Sequence, residues 1–282
     1  MAALLQWPVN GMEKTSALGE DTVKGEEDGR VGTMKEISVR SLERAFSILQ
    51  CFDLDTEELT LTQITEKLSL APSTALRLVS CLTRLGFLNR SKTKSYFLGT
   101  QAYLLGVVAS AHFKLHRIVD PIMKQLRDET KEAVSLYAIE GEYRVCYHHV
   151  ESLQSMRCIV RIGERFPLWA GAAGKCFLAY ADDDIVQREM DKLHPLTPSS
   201  ILDKEKFSEE LQLIREKEEA ISFGEREMGI TSTAVPIFSR KNQVEYTLSI
   251  AAPSGRGTSS ALRLFIQRSK EAARAIAKQL YS

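Results

Sequence analysis

The sequence predicts an α+β protein in two parts, an N-terminal winged helix–turn–helix and a larger C-terminal domain with antiparallel strands. Three observations carry this. Apolar residues between positions 38 and 98 recur with the period of three short helices and then of a β-hairpin. Beyond residue 113, strand-like and helix-like segments mix without the regular βαβ order of a parallel sheet. A chain of 282 residues, 44% of them hydrophobic, can build two cores.

The elements follow in order. Residues 1–36 are polar and slightly acidic, show no period, and are expected to be disordered; Met34 falls just before the pattern begins. The first helix is expected from Ser41, a good N-cap with Arg44 at N3, and Leu42, Phe46 and Leu49 read as its buried face. Phe52-Asp53-Leu54-Asp55 ends it. Residues 59–68 form the second helix, with Leu61, Ile64 and Leu68 inward and Thr60 or Thr62 as cap. After the turn Ser69-Leu70-Ala71, Pro72 suits the first position of a third helix, where its missing N–H is not needed. Leu76, Val79, Leu82 and Leu85 read as inward, Ser73, Arg77, Ser80 and Arg84 as outward, with Thr74 at the N-terminal edge. Gly86 closes the helix. Residues 87–90 and 96–98 are the wing strands, joined by residues 91–95, so the winged domain spans 38–100.

Residues 101–112 are strongly apolar and read as a linker helix that buries one side against a partner. The second domain, 113–282, opens with a stripe of Leu115, Val119, Ile122 and Leu126, interrupted near its start by Pro121. Strands are expected at 133–139 and 143–150 around Gly141, and at 231–238 and 244–251 around residues 240–243. Helices are expected at 174–181, 182–193, 204–219 and 259–281.

Charge points to function. The chain carries 37 basic and 37 acidic residues, yet residues 71–100 contain no Asp or Glu and hold Arg77, Arg84, Arg90, Lys92 and Lys94. A basic island in a neutral chain implies one polyanion-binding surface. The major groove of B-DNA admits one α-helix, read by its N-terminal half. Ser73, Thr74 and Arg77 occupy that half, and Arg77 suits guanine. Arg84, Lys92, Lys94 and Tyr96 suit phosphates, and Thr62 on the preceding helix joins the DNA-binding set. No apolar run reaches about 18 residues, so no span is expected. The N-terminus lacks a basic n-region and a long apolar stretch, and does not read as a signal peptide. Five cysteines with no CxxC spacing read as reduced thiols, which places the protein in the cytoplasm.

Several segments together resemble the IclR (isocitrate lyase regulator) family of bacterial transcription factors. Residues 41–49, beginning Ser41-Leu42-Glu43-Arg44, resemble its first helix, and Pro72-Ser73-Thr74-Ala75-Leu76-Arg77-Leu78 its recognition helix. Leu85-Gly86-Phe87-Leu88 and Tyr96-Phe97-Leu98-Gly99 are similar to the borders of its wing. Residues 161–168, 172–179, 229–238 and 249–253 resemble segments of its effector domain, so the resemblance covers about 38–280. It implies a GAF/profilin-like effector-binding domain for a small molecule, usually an organic acid. The implied contacts fall on Ala172, Ala173, Ile230, Ser232, Ser249 and Ala251. Ala251 stands where relatives that bind small keto acids can have Ser, and Ser222 where some have Asp, which suggests a larger or more apolar acid. Gly171-Ala172-Ala173-Gly174 opens a helix whose free N–H groups favour an anion, with Lys175 nearby or facing solvent.

The expected protein is therefore a non-enzymatic, acid-responsive regulator of double-stranded operator DNA. A homodimer or homotetramer is expected because one short helix reads few bases. No cofactor, metal site or membrane partner is expected. His148 and His149 are adjacent on a strand, point to opposite faces and cannot easily share a metal. Cys176 reads as a buried inert thiol rather than an activated one. Glu225, Glu227 and Asp182-Asp183-Asp184 read as solvated or capping carboxylates, with no nucleophile–base pair in view. The competing readings are an enzyme acting on a small carboxylate through the C-terminal domain, and a winged helix that binds protein instead of DNA.

Overall fold

Helix ends and helix faces organise the first unit. The computed structural model describes residues 39–112 and 114–282; the tail expected to be disordered, residues 1–36, lies outside them. The chain divides into two units: the described residues up to Phe52 with Glu58–Gly99, and Asp53–Glu57 with Thr100–Ser282.

The first unit holds α1 (Arg40–Leu49), β1 (Leu59–Thr60), α2 (Leu61–Leu68), α3 (Pro72–Arg84), β2 (Leu88–Arg90) and β3 (Ser95–Leu98). Its three strands pair in the order β1-β3-β2, with Leu59 and Arg90 both opposite Tyr96. The N-cap of α1 is Val39, with no side-chain cap; Ser41, the expected cap, is already helical. Thr60, and not Thr62, caps α2. Its hydroxyl accepts from the Gln63 amide while the Gln63 side chain accepts from the Thr60 amide, a reciprocal capping box. The end of α3 is a Schellman motif: Gly86 N–H donates to Thr83 O at 3.0 Å and Phe87 N–H to Leu82 O at 2.9 Å. Gly86 has φ +77°, which favours glycine.

Two expected faces are corrected. Leu42 and Phe46 are exposed, while Ile48 is buried and Ala45 and Leu49 pack beside it. Leu76 and Leu85 are exposed, and Ala75, Val79 and Leu82 face the core. In α3 the expected series, taken every third residue, drifts by about 60° per step on a helix of 3.6 residues per turn, whereas the steps of four and three from Ala75 to Val79 to Leu82 stay on one face. In α1 the expected series has the right spacing but sits on the wrong face, the core being met by Ala45, Ile48 and Leu49.

The second unit holds α4 (Thr100–His112), α5 (Lys114–Thr130), β4 (Ala133–Glu140), β5 (Tyr143–Val150), β6 (Arg165–Pro167), α6 (Gly171–Leu178), α7 (Asp183–Met190), α8 (Lys204–Lys217), β7 (Ala220–Phe223), β8 (Ile230–Phe238), β9 (Val244–Pro253) and α9 (Ser259–Leu280). The six strands pair antiparallel in the order β6-β5-β4-β9-β8-β7. One core joins α5 and α9 to one sheet face through Val119, Met123, Leu136, Leu248 and Phe265. The other joins α6, α7 and α8 to the opposite face through Phe177, Met190, Phe207, Tyr137 and Ala234. Pro121 does not interrupt α5. It is exposed, and the helix runs through it while Leu115, Val119, Met123 and Leu126 stay buried. α6 begins three residues earlier than expected, so Gly171 to Gly174 form its first turn. On α4, Tyr103, Leu104, Leu105, Val107 and Val108 are all exposed.

Candidate functional site

The face of α3 turned away from the first core carries the polar residues. Ser73, Arg77, Ser80 and Arg84 are exposed and Thr74 is half-buried. Ala71 supplies no side-chain cap to the helix start. Lys92, Thr93 and Lys94 are exposed in the wing turn, and Lys94 has φ +66°. Thr62 is exposed on α2. Tyr96 is a correction: the residue is 6% exposed and belongs to the core of the unit, because the β3 face it occupies meets Leu59 and Leu88. The exposed Arg90 lies 5.7 Å over its ring, so this wing position offers a guanidinium in place of the expected phenol.

In the second unit a cavity forms where register stacks small residues. Ser222, Ser232 and Ala251 stand side by side across β7, β8 and β9. In the next row Ala220, Ala234, Ser249 and Ser135 are aligned across β7, β8, β9 and β4. These short side chains leave a hollow under α6, with about 440 Å³ of atom-free space that is partly open to solvent. Seven of the eight residues expected to contact an effector line it: Ala172, Ala173, Ser222, Ile230, Ser232, Ser249 and Ala251. Gly174 does not. It lies where α6 crosses the Leu168 carbonyl and the Arg144 guanidinium, and a Cβ there would collide with both.

Gly171, expected in the anion-favouring helix opening, also lines the cavity, while sequence reasoning missed Tyr137, Arg144, Val160, Arg226 and Glu227. The two arginines change its chemistry. Arg144, on β5, is 3% exposed and lies 5.4 Å from the Tyr137 ring and 5.1 Å from the Phe166 ring. Its Nη1 donates to Pro167 O at 2.7 Å and also to Ala170 O, which fixes the strand leading into α6. Its Nε is buried without a hydrogen-bond partner. Burial pulls its pKa down to about 10, opposed by Tyr137 and reinforced by the Arg226 charge, so it stays protonated at neutral pH. Arg226 stacks 4.4 Å over Phe166 and pairs with Glu227 at 3.3 Å. Burial raises the Tyr137 pKa and keeps that hydroxyl neutral. An arginine within a strand carries no local signal; only the β4–β5 and β5–β6 pairings bring Arg144 to this wall.

Lys175 is a second correction. It neither faces solvent nor lines the cavity, but is fully buried beneath α6. Its Nζ donates to Glu225 Oε1 at 2.7 Å, Ile221 O at 2.9 Å and Glu210 Oε1 at 3.0 Å. Glu225 is therefore not a solvated carboxylate. Burial raises its pKa, and Lys175 opposes that rise. Burial also pushes up the Cys176 thiol and keeps it protonated. His148 and His149 diverge: His148 Nε2 lies 3.1 Å from Asp120 Oδ1 on α5, and His149 Nδ1 lies 2.9 Å from Ser135 Oγ.

A winged helix–turn–helix with an exposed basic face, followed by a second unit with a small-molecule cavity, defines a DNA-binding regulator of the two-domain type. The family models agree. The IclR helix-turn-helix domain matches residues 41–92, and the C-terminal domain of the bacterial transcriptional regulator IclR matches 107–278. The chain belongs to the IclR family of bacterial transcriptional regulators. It is 30% identical to the HTH-type transcriptional regulator KdgR of Escherichia coli K12, over 86% of this chain and 93% of that protein. It is 26% identical to KipR of Bacillus subtilis 168, over 86% of this chain and 97% of that protein. The crystal structure of a transcriptional regulator from Alicyclobacillus acidocaldarius superposes with a TM-score of 0.75 at 28% identity, covering 86% of this chain and 98% of the other. Among the described residues no helix is long and apolar enough to cross a membrane.

Proposed function

We propose that this regulator binds operator DNA through α3 and the wing, and that an organic acid seated in the cavity of the second unit alters that binding. Ser73, Thr74 and Arg77 read bases, while Thr62, Arg84, Arg90, Lys92 and Lys94 hold phosphates. The observation that carries the acid reading is Arg144: a buried guanidinium with an unpartnered Nε at the cavity wall, beside the first turn of α6. A carboxylate there meets Arg144, Arg226 and the positive end of a helix dipole, while Ala172, Ala173, Ile230 and Val160 take the apolar part. Ala251 and Ser222 leave the lining fewer polar groups for a ligand, which favours an acid with an apolar part over one of glyoxylate size. A structure of the same fold, an IclR homolog from Microbacterium hydrocarbonoxydans at 24% identity, is a complex with 4-hydroxybenzoate.

A ligand shifts DNA affinity only through different affinities for two states of the protein. The exposed apolar residues of α4 support a homodimer or homotetramer, which places two recognition helices on one site. This reading has the protein act in the bacterial cytoplasm. The test is selection of bound duplexes from random DNA by the full chain, repeated with aromatic and two-carbon acids. Enrichment of a two-fold-symmetric sequence, changed by an aromatic acid, is expected. Enrichment of no sequence refutes the DNA part; stabilisation by glyoxylate-sized acids alone refutes the choice of ligand.

A further inference from the structure

We propose that His116, Asp120 and His148 form a binding site for a divalent transition-metal ion of the zinc class. His116 and Asp120 are four residues apart on α5 and share one helix face. His148 reaches them from β5. One ligand atom from each of the three lies within 4.8 Å of the others. The two imidazoles meet edge to face with centroids 4.3 Å apart. On a tetrahedral ion with bonds of about 2.1 Å, neighbouring ligand atoms stand about 3.4 Å apart. Closing the remaining gap takes only small side-chain rotations, and His116, which is exposed, is free to make them.

The carboxylate is already arranged as a ligand. Asp120 Oδ1 faces His148 Nε2 at 3.1 Å, and Oδ2 is held by Lys124 Nζ at 2.7 Å. One oxygen is thus presented to the site while an outer partner fixes the other. Two imidazole nitrogens with one carboxylate oxygen suit zinc, nickel or iron, whereas magnesium and calcium take oxygen ligands. Three protein ligands leave a position for water on the side of His116. The bound ion ties α5 to the sheet at a point now joined by the His148–Asp120 hydrogen bond.

The alternative is that Asp120 serves only as an acceptor for His148. Full-length protein, stripped with a chelator, separates the two when titrated with Co²⁺ and then Zn²⁺. One equivalent of Co²⁺ per chain is expected to give a visible d–d band without thiolate charge transfer, and Zn²⁺ to displace it. His116→Ala and Asp120→Asn are each expected to weaken Zn²⁺ binding by about tenfold or more, with the melting temperature of metal-free His116→Ala unchanged. His149→Ala is expected to bind as the parent does. Absence of a cobalt band at concentrations on the order of millimolar, a thiolate charge-transfer band, or parental affinity in both His116→Ala and Asp120→Asn overturns the proposal.

Discussion

Replacing Lys175 by Met tests how the buried side of α6 is held. Met keeps an unbranched chain of similar length, so the substitution removes the charge and leaves most of the packing. All three Nζ donors are in use, and the side chains of Lys175, Glu225 and Glu210 are 0%, 10% and 32% exposed. Without the cation, Glu225 is a buried carboxylate with no counter-charge, and breaking such a pair costs about 3–5 kcal/mol at neutral pH. With an m-value of about 2–3 kcal/mol/M, the urea midpoint falls by about 1–2.5 M. Glu210, being more exposed, rehydrates and adds little. Fluorescence of Trp169, buried in the same core, follows the transition.

The pH dependence gives an independent check. Burial already raises the Glu225 pKa and Lys175 opposes this, so removing Lys175 raises it further. A carboxyl whose folded pKa lies above its unfolded value is bound to a proton more tightly when folded. Its contribution to stability is gained as pH falls below the folded pKa and lost as pH rises through it. The Lys175→Met defect is therefore largest at and above neutrality and shrinks toward pH 5. Glu225→Gln added to Lys175→Met recovers about 2 kcal/mol. A midpoint shift under about 0.3 M at pH 7, or a defect equal at pH 5 and pH 8, refutes the reasoning.

Three further outcomes are expected. Gly174→Ala pushes a Cβ into the Leu168 carbonyl and Arg144, costs about 1–3 kcal/mol, and lowers the melting temperature by about 2–12 °C in a thermal-shift assay; an unchanged value contradicts the close approach. Thr60→Ala breaks the capping box of α2 and costs about 1 kcal/mol by urea unfolding, while Thr62→Ala costs nothing measurable. Arg226→Gln, at a half-buried position, weakens benzoate binding about tenfold or more by calorimetry; parental affinity places the acid elsewhere.

The winged helix was legible because its signals are local. Pro72, Gly86 and the run of basic residues without acids mark α3 and the wing without knowledge of any contact. Which residues face inward was less legible. Leu76 and Leu85 are as apolar as Val79 and Leu82, and only the 100° turn per residue separates them. β1, β6 and β7 are too short to show a period and were not expected. The cavity was legible through family resemblance in seven residues, while its charge was not. Arg144 and Lys175 are ordinary surface residue types by composition, and the packing assigns one to the cavity wall and the other to a buried ion cluster with Glu225 and Glu210. His116 and Asp120 stayed hidden for the same reason: His148 meets Asp120 only through the packing of α5 on β5, across a separation of 28 residues.

The central claim is that the exposed arginine face of α3 enters a DNA groove. The most direct measurement is the affinity of the full chain for its selected duplex, followed by fluorescence anisotropy over a range of salt concentrations. Affinity is expected to fall steeply and log-linearly with salt. Arg77→Ala should cost about 1–3 kcal/mol on the selected duplex and far less on an unrelated one, whereas Lys92→Ala should weaken both alike and reduce the salt slope by about one. Binding that ignores salt, or Arg77→Ala protein that still discriminates between duplexes as the parent does, contradicts the account.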